Sequence, residues 1–277
     1  MEDGAFLVTR SGCQNASGVA RHHPNPGTTP EVFFTKKAAM RTTRHSAPKH
    51  QPKGVSLLYE DADILVVDKP GGLLTIGTDR DKSRTVHSIL NDYVRKGNPK
   101  SRNRVYIVHR LDRDTSGILL FAKSEHAKIF LQSDWENTSK IYLAAVFGSI
   151  SPPEGTISSY LTENAAFTVY STPDPAKGKL SQTAYTLVKE QKGISLLRIH
   201  LLTGRKHQIR VHLADKGHPV VGDRKYGSGH ASYATLALHA CSISFTHPVS
   251  GAHLRFETRI PALFSRLVGT FQLPDEK

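Results

Sequence analysis

From Gly54 onward, apolar and polar positions alternate in short, orderly blocks. Ser56–Tyr59 and Ile64–Asp68 read as strands separated by the turn Glu60-Asp61-Ala62-Asp63, and Lys69-Pro70-Gly71-Gly72 ends the second abruptly. Thr85 opens a helix in which Val86, Ile89, Leu90, Tyr93 and Val94 fall on one face, and Gly97 stops it. Val105–Val108 and Gly117–Ala122 read as strands on either side of a polar loop. Ser124 caps a helix running to Trp135, and Ile141–Phe147 is a further strand. Beyond a Pro/Gly-containing loop, Thr183–Lys189 and Ile194–Leu202 flank Glu190-Gln191-Lys192-Gly193 as a hairpin. Thr203 to Lys216 predicts a short helix closed by Gly217, Leu236–Phe245 and His253–Ile260 a last hairpin, and Pro261 a final short helix. Hairpin strands mixed with a few helices predict an α+β fold, a mixed, mostly antiparallel sheet flanked by helices.

Residues 1–53 break this pattern. Five Pro between Arg21 and Lys53, abundant Thr and no sustained period predict a basic, disordered N-terminal tail, leaving 54–277 as one folded domain. A true start at Met40 is the alternative for this stretch. Composition narrows the class. Within 277 residues there are 2 Cys, Cys13 and Cys241, far apart in the chain. That excludes a disulfide scaffold and a thiolate zinc site and points to a reducing, cytoplasmic setting. No apolar run approaches the ~20 residues of a membrane span, so no membrane partner is expected. The formal net charge is +13, and 1–53 carries 8 Lys or Arg against 3 Asp or Glu, so most of the excess belongs to the patterned region. A polyanionic partner follows, RNA or DNA before an anionic membrane surface.

Two polar segments could carry chemistry. Val108-His109-Arg110-Leu111-Asp112-Arg113-Asp114-Thr115-Ser116-Gly117 places charged groups between apolar strands. Cations beside Asp112 would favour its carboxylate form, suited to a nucleophile or a base; a simple turn in which Asp112 and Asp114 bond backbone amides fits the same residues. Leu202-Thr203-Gly204-Arg205-Lys206-His207-Gln208-Ile209-Arg210-Val211-His212, if helical, sets His207 beside Arg210 and turns Ile209 and Leu213 to the core. Its basic residues suit a phosphate or carboxylate, or equally a solvated face. The 15 His lack ligand spacing and acidic partners, so no metal site is expected. His109-Arg110-Leu111-Asp112 shares letters with a kinase catalytic loop, but Gly117 stands where that loop needs Asn. Trp135 and Phe130 read as core residues, and Cys241 as a small buried hydrophobe.

Together these segments resemble the RluA-type RNA pseudouridine synthases. The first resembles that family's signature block and the second its later block, with Lys206 where Thr or Ser is usual. Val67–Leu73, Lys140–Ala144, Pro219–Gly227 and Leu238–Ala240 resemble four supporting blocks in the expected order, with Asp68 where Asn is common. The likeness covers about residues 55–270. It implies an isomerase that breaks the N1–C1′ bond of specific uridines in rRNA or tRNA, turns the uracil and rejoins it through C5. By matching position Asp112 is the catalytic aspartate, attacking C1′ or abstracting the C2′ proton. Tyr142 packs against the target base, and Arg210 pairs with Asp112. Arg110, His109, Thr115, Arg205, His207, Gln208 and Lys69 are the expected substrate-binding residues, Arg110 filling the gap left by the flipped base. The resemblance further implies no nucleotide or other cofactor and a monomer that finds RNA without the S4-type domain many relatives carry. The alternative is a catalytically inactive RNA-binding module on the same fold.

Overall fold

In the computed structural model, residues 51–77, 84–227 and 233–273 are described. Most of the expected tail, the Met40 start and Cys13 lie outside them. The last three residues assigned to the tail, Gln51–Lys53, belong to the folded part: Pro52 is buried, the Gln51 side chain accepts from Leu57 N at 2.7 Å, and Arg84 donates to Lys53 O at 2.9 Å.

An eleven-stranded mixed sheet runs through the molecule. Its strands are β1 (Ser56–Glu60), β2 (Ile64–Lys69), β3 (Tyr106–Ile107), β4 (Ser116–Ala122), β5 (Ser139–Phe147), β6 (Glu154–Glu163), β7 (Val169–Thr172), β8 (Lys179–Gln191), β9 (Ile194–Leu201), β10 (Leu238–Thr246) and β11 (His253–Glu257). The order is β1-β2-β4-β10-β5-β9-β8-β6-β7, with β3 on β4 and β11 on β10. Every named pair is antiparallel except β10 with β4. Among the described residues four α-helices flank it: α1 (Val86–Arg95), α2 (Glu125–Ser133), α3 (Gln208–Asp215) and α4 (Ala262–Val268).

The central strands are buried on both faces, which is why β2 and β4 read as continuous apolar runs. Leu65, Val67, Leu119 and Phe121 pack with Val86, Ile89 and Leu90 of α1 and Phe264 of α4. Ile64, Val66, Ile118 and Leu120 face the other way, onto Ala127 and Leu131 of α2 and Phe245 of β10. Thr85 caps α1 through a reciprocal bond with Ser88, and Ser124 caps α2 by accepting from Ala127 N, both as expected.

The sheet sets the height of the loops above it. Gly117, Ala240, Tyr142 and Ile199 form one lateral row across β4, β10, β5 and β9. The parallel β4–β10 contact is so close that a Cβ on Gly117 would lie 2.2 Å from Ala240 O, and its φ of +113° excludes a side chain as well. The loops leaving β3 and β9 therefore emerge side by side. Cys241 is buried and free, as expected of a small hydrophobe.

Three differences from the sequence reading have physical causes. The stretch assigned to a loop before Thr183 contains β6, β7 and the start of β8. In β6 only Ile157 and Leu161 are buried, so the period-two signal is faint near the sheet edge. The helix expected from Thr203 begins at Gln208, because the Gln208 side chain accepts from Thr203 Oγ1 (2.8 Å) and Arg205 N (3.0 Å) and folds Thr203–His207 into a turn. Helix α2 stops at Ser133, and Trp135 sits in a separate 3₁₀ turn, Trp135–Asn137, partly buried and packed against the core that Ile64 and Leu131 share.

Two buried histidines make the fold acid-sensitive. Burial pushes His212 and His239 down to about 4, where they bond Thr183 and Ser159, and Ser116 and Thr258, respectively. An unfolded histidine takes its proton near pH 6.5, so between pH ~6.5 and ~4 the unfolded chain holds more protons and stability falls as pH falls. Urea midpoints should drop across that window, and His239→Gln should remove up to ~1.4 kcal/mol per pH unit of the slope; an unchanged slope contradicts the buried neutral imidazole.

Candidate active site

The loop 108–115 connects β3 to β4 and is clamped from below by the chain leaving β2. Lys69 is fully buried, and its ammonium donates to three carbonyls: Pro70 at 3.0 Å, Leu73 at 2.8 Å and Arg113 at 2.8 Å. Gly72 N donates to the same Arg113 carbonyl at 2.9 Å, and Thr75 Oγ1 bonds both the carbonyl and the N–H of Leu111. Burial lowers the Lys69 ammonium to about 8, opposed by Asp114, Asp112 and Asp68. With all three protons committed, Lys69 does not reach RNA. The substrate contact expected of it is corrected to a clamp on the loop.

Asp112 stands at the centre of this loop, 23% exposed. Arg210, from the first turn of α3, donates to Asp112 Oδ2 through one terminal nitrogen at 3.0 Å. Its remaining edge forks onto Asp223, Nε to Oδ2 at 2.7 Å and the other terminal nitrogen to Oδ1 at 2.8 Å. Burial alone would raise the Asp223 carboxyl; the Arg210 fork and the N–H groups of Tyr226 and Lys225 hold it below its ordinary value instead. Burial likewise opposes the charge on Arg210, and the two carboxylates more than restore it. The backbone at Gly222 is shaped to present Asp223: its φ is +78°, and a Cβ there would meet Thr235 O at 2.0 Å.

His207 precedes α3 with φ +55° and aims Nε2 at Asp112 Oδ2, 3.8 Å away. Burial lowers its imidazole; Asp112 opposes this, while Arg210, Lys225 and Lys206 reinforce it, so it is neutral at pH 7. Asp112 Oδ1 accepts no hydrogen bond from the described residues.

Above Asp112 opens a cavity of about 450 Å³, lined by Thr115, Trp135, Tyr142, Leu238 and the Arg205–Gln208 turn among others. This suits a planar ligand: the His109 ring lies 4.6 Å from that of Trp135, inclined 32°, and Lys140 stands 5.2 Å from the Trp135 ring centre. His109 Nε2 accepts from Leu120 N at 3.1 Å, and burial drives the imidazole down to about 3, fixing a neutral ring. Tyr142 is 8% exposed, and burial together with Asp112 pushes its phenol well above the ordinary value. A second cavity of about 450 Å³, lined by Thr75, Ile76, Arg113, Arg224 and Lys225, shares Arg110, Asp112 and Arg210 with the first. Exposed Arg110 is the ridge between them.

The structure thus gathers Asp112, Tyr142, Arg210, Arg110, His109, Thr115, Arg205 and His207 around one cavity. Gln208 lines it but is spent on the fold: it is 2% exposed, and its amide donates to Gln182 O and Thr183 Oγ1 while its carbonyl accepts from Thr203 and Arg205. The substrate contact expected of Gln208 is corrected accordingly. Sequence reasoning missed Asp223, Tyr226, Trp135 and Lys140 as site residues. His247, read as lacking an acidic partner, meets Asp61 at 2.9 Å, with Asp63 nearby; Tyr59 and two backbone N–H groups already satisfy Asp61.

The sequence model described as RNA pseudouridylate synthase matches residues 63–215. A Bacillus subtilis protein named uncharacterized RNA pseudouridine synthase YjbO is 33% identical over 221 residues, 79% of this chain and 77% of that one. The dual-specificity RNA pseudouridine synthase RluA of Vibrio cholerae is 34% identical over 216 residues, 76% and 84%. Among solved structures, human RNA pseudouridylate synthase domain containing 1 aligns with TM-score 0.63 at 25% identity, covering 82% of this chain and 91% of that one.

Arg210 is the joint of the site, and lysine cannot replace its fork. Arg210→Lys should leave Asp223 buried and half-paired, costing about 2 kcal/mol or more. Urea denaturation measures this; a change under ~0.5 kcal/mol, the scale of an ordinary surface substitution, would show that the fork contributes little.

Proposed function

Because the chain belongs to the RNA pseudouridylate synthase family, and is an isomerase acting on uridine in RNA, we propose that Asp112 is its reacting carboxylate. The observation that carries this is the guanidinium of Arg210, held by Asp223 and aimed at Asp112 beneath a cavity walled by Tyr142 and the His109–Trp135 pair. A guanidinium partner orients a carboxylate and offsets its charge. Either route open to it, attack on C1′ or removal of the C2′ proton, needs that charge.

A uridine stacked in RNA does not reach such a cavity, so it is extruded at a cost of a few kcal/mol. Uracil then lies against Tyr142 within the aromatic walls. The exposed Arg110 ridge enters the space the base has left, and Arg205 meets phosphate at the rim. His109 and Thr115 shape the wall. Once the N1–C1′ bond breaks, the uracil turns, C5 bonds to C1′, the C5 proton leaves to solvent and N1 takes up a proton in its place. The atoms of the substrate are conserved apart from that exchange, which is why no redox partner or nucleotide is called for.

Residues 54–277, with Gln51–Lys53 packed against them, are the catalytic domain in this reading, and the stretch before them is a basic tail that adds salt-dependent affinity for RNA. The substrate is rRNA or tRNA, a reading supported by a Xanthomonas campestris relative named ribosomal large subunit pseudouridine synthase D, 30% identical over 256 residues. In this reading the protein acts as a monomer in the cytoplasm. No helix among the described residues is long and apolar enough to cross a membrane.

Carbodiimide-adduct primer extension on rRNA and tRNA incubated with the protein tests this. A stop present with wild type and absent with Asp112→Asn is expected, with RNA binding nearly intact in the variant. Turnover by Asp112→Asn near the wild-type rate removes Asp112 from the reaction, and no stop with wild type favours an inactive RNA-binding module.

A further inference from the structure

Beside Arg210, one more group addresses Asp112, and its orientation is fixed by a chain of contacts reaching into a different hairpin. His207 Nδ1 lies 2.8 Å from the Tyr226 hydroxyl. That hydroxyl accepts the backbone N–H of Val169, at the start of β7, at 3.2 Å. With Val169 N–H already donating to the hydroxyl, the tautomer in which the phenol donates to His207 Nδ1 and the imidazole keeps its hydrogen on Nε2 gives the Tyr226 proton an acceptor among the described residues. The Nε2–H then faces Asp112 Oδ2. The ring itself is held edge-on to Tyr226, 5.6 Å between centres at 72°, and Tyr226 in turn lies under the Arg210 guanidinium at 5.2 Å.

We propose that His207, its tautomer locked by Tyr226, is a positioning residue for Asp112, and that Arg210 and His207 together hold the carboxylate by Oδ2 so that Oδ1 is the oxygen that meets the ribose. This rests on the reading of Asp112 as the reacting group. Both donors address the same oxygen, 3.0 and 3.8 Å away, and both come from the turn that begins α3. The longer distance leaves room for the carboxylate to swing toward Nε2–H when Oδ1 engages substrate. The groups facing His207 are Asp112 from the catalytic loop, Lys206 and Arg210 from its own segment, and Lys225 and Tyr226 from the loop after Gly222. Burial, reinforced by Arg210, Lys225 and Lys206 and opposed by Asp112, disfavours the charged imidazole, so Nε2–H acts as a neutral donor rather than half of a full ion pair. Val169 ties this arrangement to the β6–β7 hairpin. Its tip reaches the same rim, with exposed Phe167 (58%) 5.5 Å from the Lys206 ammonium and Lys225 donating to Phe167 O at 2.8 Å. The hairpin thus contributes to catalysis by holding Tyr226, not by touching the reacting atoms.

The test uses the full chain and two small changes. Tyr226→Phe removes one hydroxyl and keeps the ring under Arg210. His207→Asn removes the imidazole and retains a residue that tolerates the left-handed backbone. Single-turnover isomerisation with enzyme in excess should fall about tenfold or more in each variant, the scale of a displaced reacting group, while the Kd for RNA changes less than about twofold. The double variant should be no slower than His207→Asn alone, because Tyr226 acts through His207. Nitrogen-15 NMR of the His207 ring near pH 7 should show the Nε2–H tautomer in wild type. A ring protonated on Nδ1, a Tyr226→Phe rate within about twofold of wild type, or strictly additive losses would each overturn the proposal. If Asp112→Asn is inactive in the same assay, the assignment of Asp112 survives any of these results; if it is active, that assignment has failed first.

Discussion

A single buried guanidinium shared between two carboxylates organises this protein. Arg210 is 9% exposed, Asp223 1% and Asp112 23%. Removing three charges from water is costly, and it is tolerated because each donor of the fork meets an oxygen of Asp223 and its Oδ1 also accepts the backbone N–H groups of Lys225 and Tyr226. The consequence is directional. Asp223 consumes one edge of Arg210 and thereby fixes where the other edge points. Asp112 receives a preset partner, so in the proposed reaction it does not have to recruit a mobile side chain, which is the sense in which the site is preorganised.

The fold delivers these groups from far apart in the chain to one place. β4 starts and β9 ends on the same lateral row of the sheet, so the loop holding Asp112 and the turn preceding Arg210 are neighbours although 98 residues separate the two side chains. Glycines permit the closest approaches: Gly117 lets β4 touch β10, and Gly222 lets the Asp223 loop pass beneath Thr235. The buried Lys69 ammonium satisfies the Pro70 and Leu73 carbonyls and adds a second donor to that of Arg113 at the foot of the Asp112 loop. A lysine in that role belongs to stability as much as to chemistry.

Much of this was legible in the sequence, and the gaps have physical reasons. Helix α1 was visible because Val86, Ile89, Leu90 and Val94 repeat at helical spacing and are buried. The α+β architecture followed from hairpin spacing, and the two loops from their charged residues between apolar strands. The roles expected of Asp112, Tyr142 and Arg210 came from likeness to a family, since spacing alone left a plain turn open. β6 and β7 escaped because strands near a sheet edge bury few side chains and so carry little pattern. Asp223 escaped because an aspartate two and three residues before the amides it accepts from reads as a local turn; nothing in one dimension says that its oxygens also grip an arginine. Lys69 and Gln208 were misjudged for the converse reason. Polar residues inside a reactive segment look like ligand contacts until their donors are counted against backbone partners.

The most direct test of the central claim concerns Asp223, which touches no substrate in this account and acts only through Arg210. The measurement is single-turnover release of tritium from RNA labelled at C5 of uridine, comparing wild type with Asp223→Asn at saturating enzyme. A fall of about tenfold or more, the scale of a misplaced reacting group, with RNA affinity within about twofold is the predicted result. Release at the wild-type rate from a folded Asp223→Asn protein would contradict it, and would mean that Asp112 is oriented by something other than the shared guanidinium.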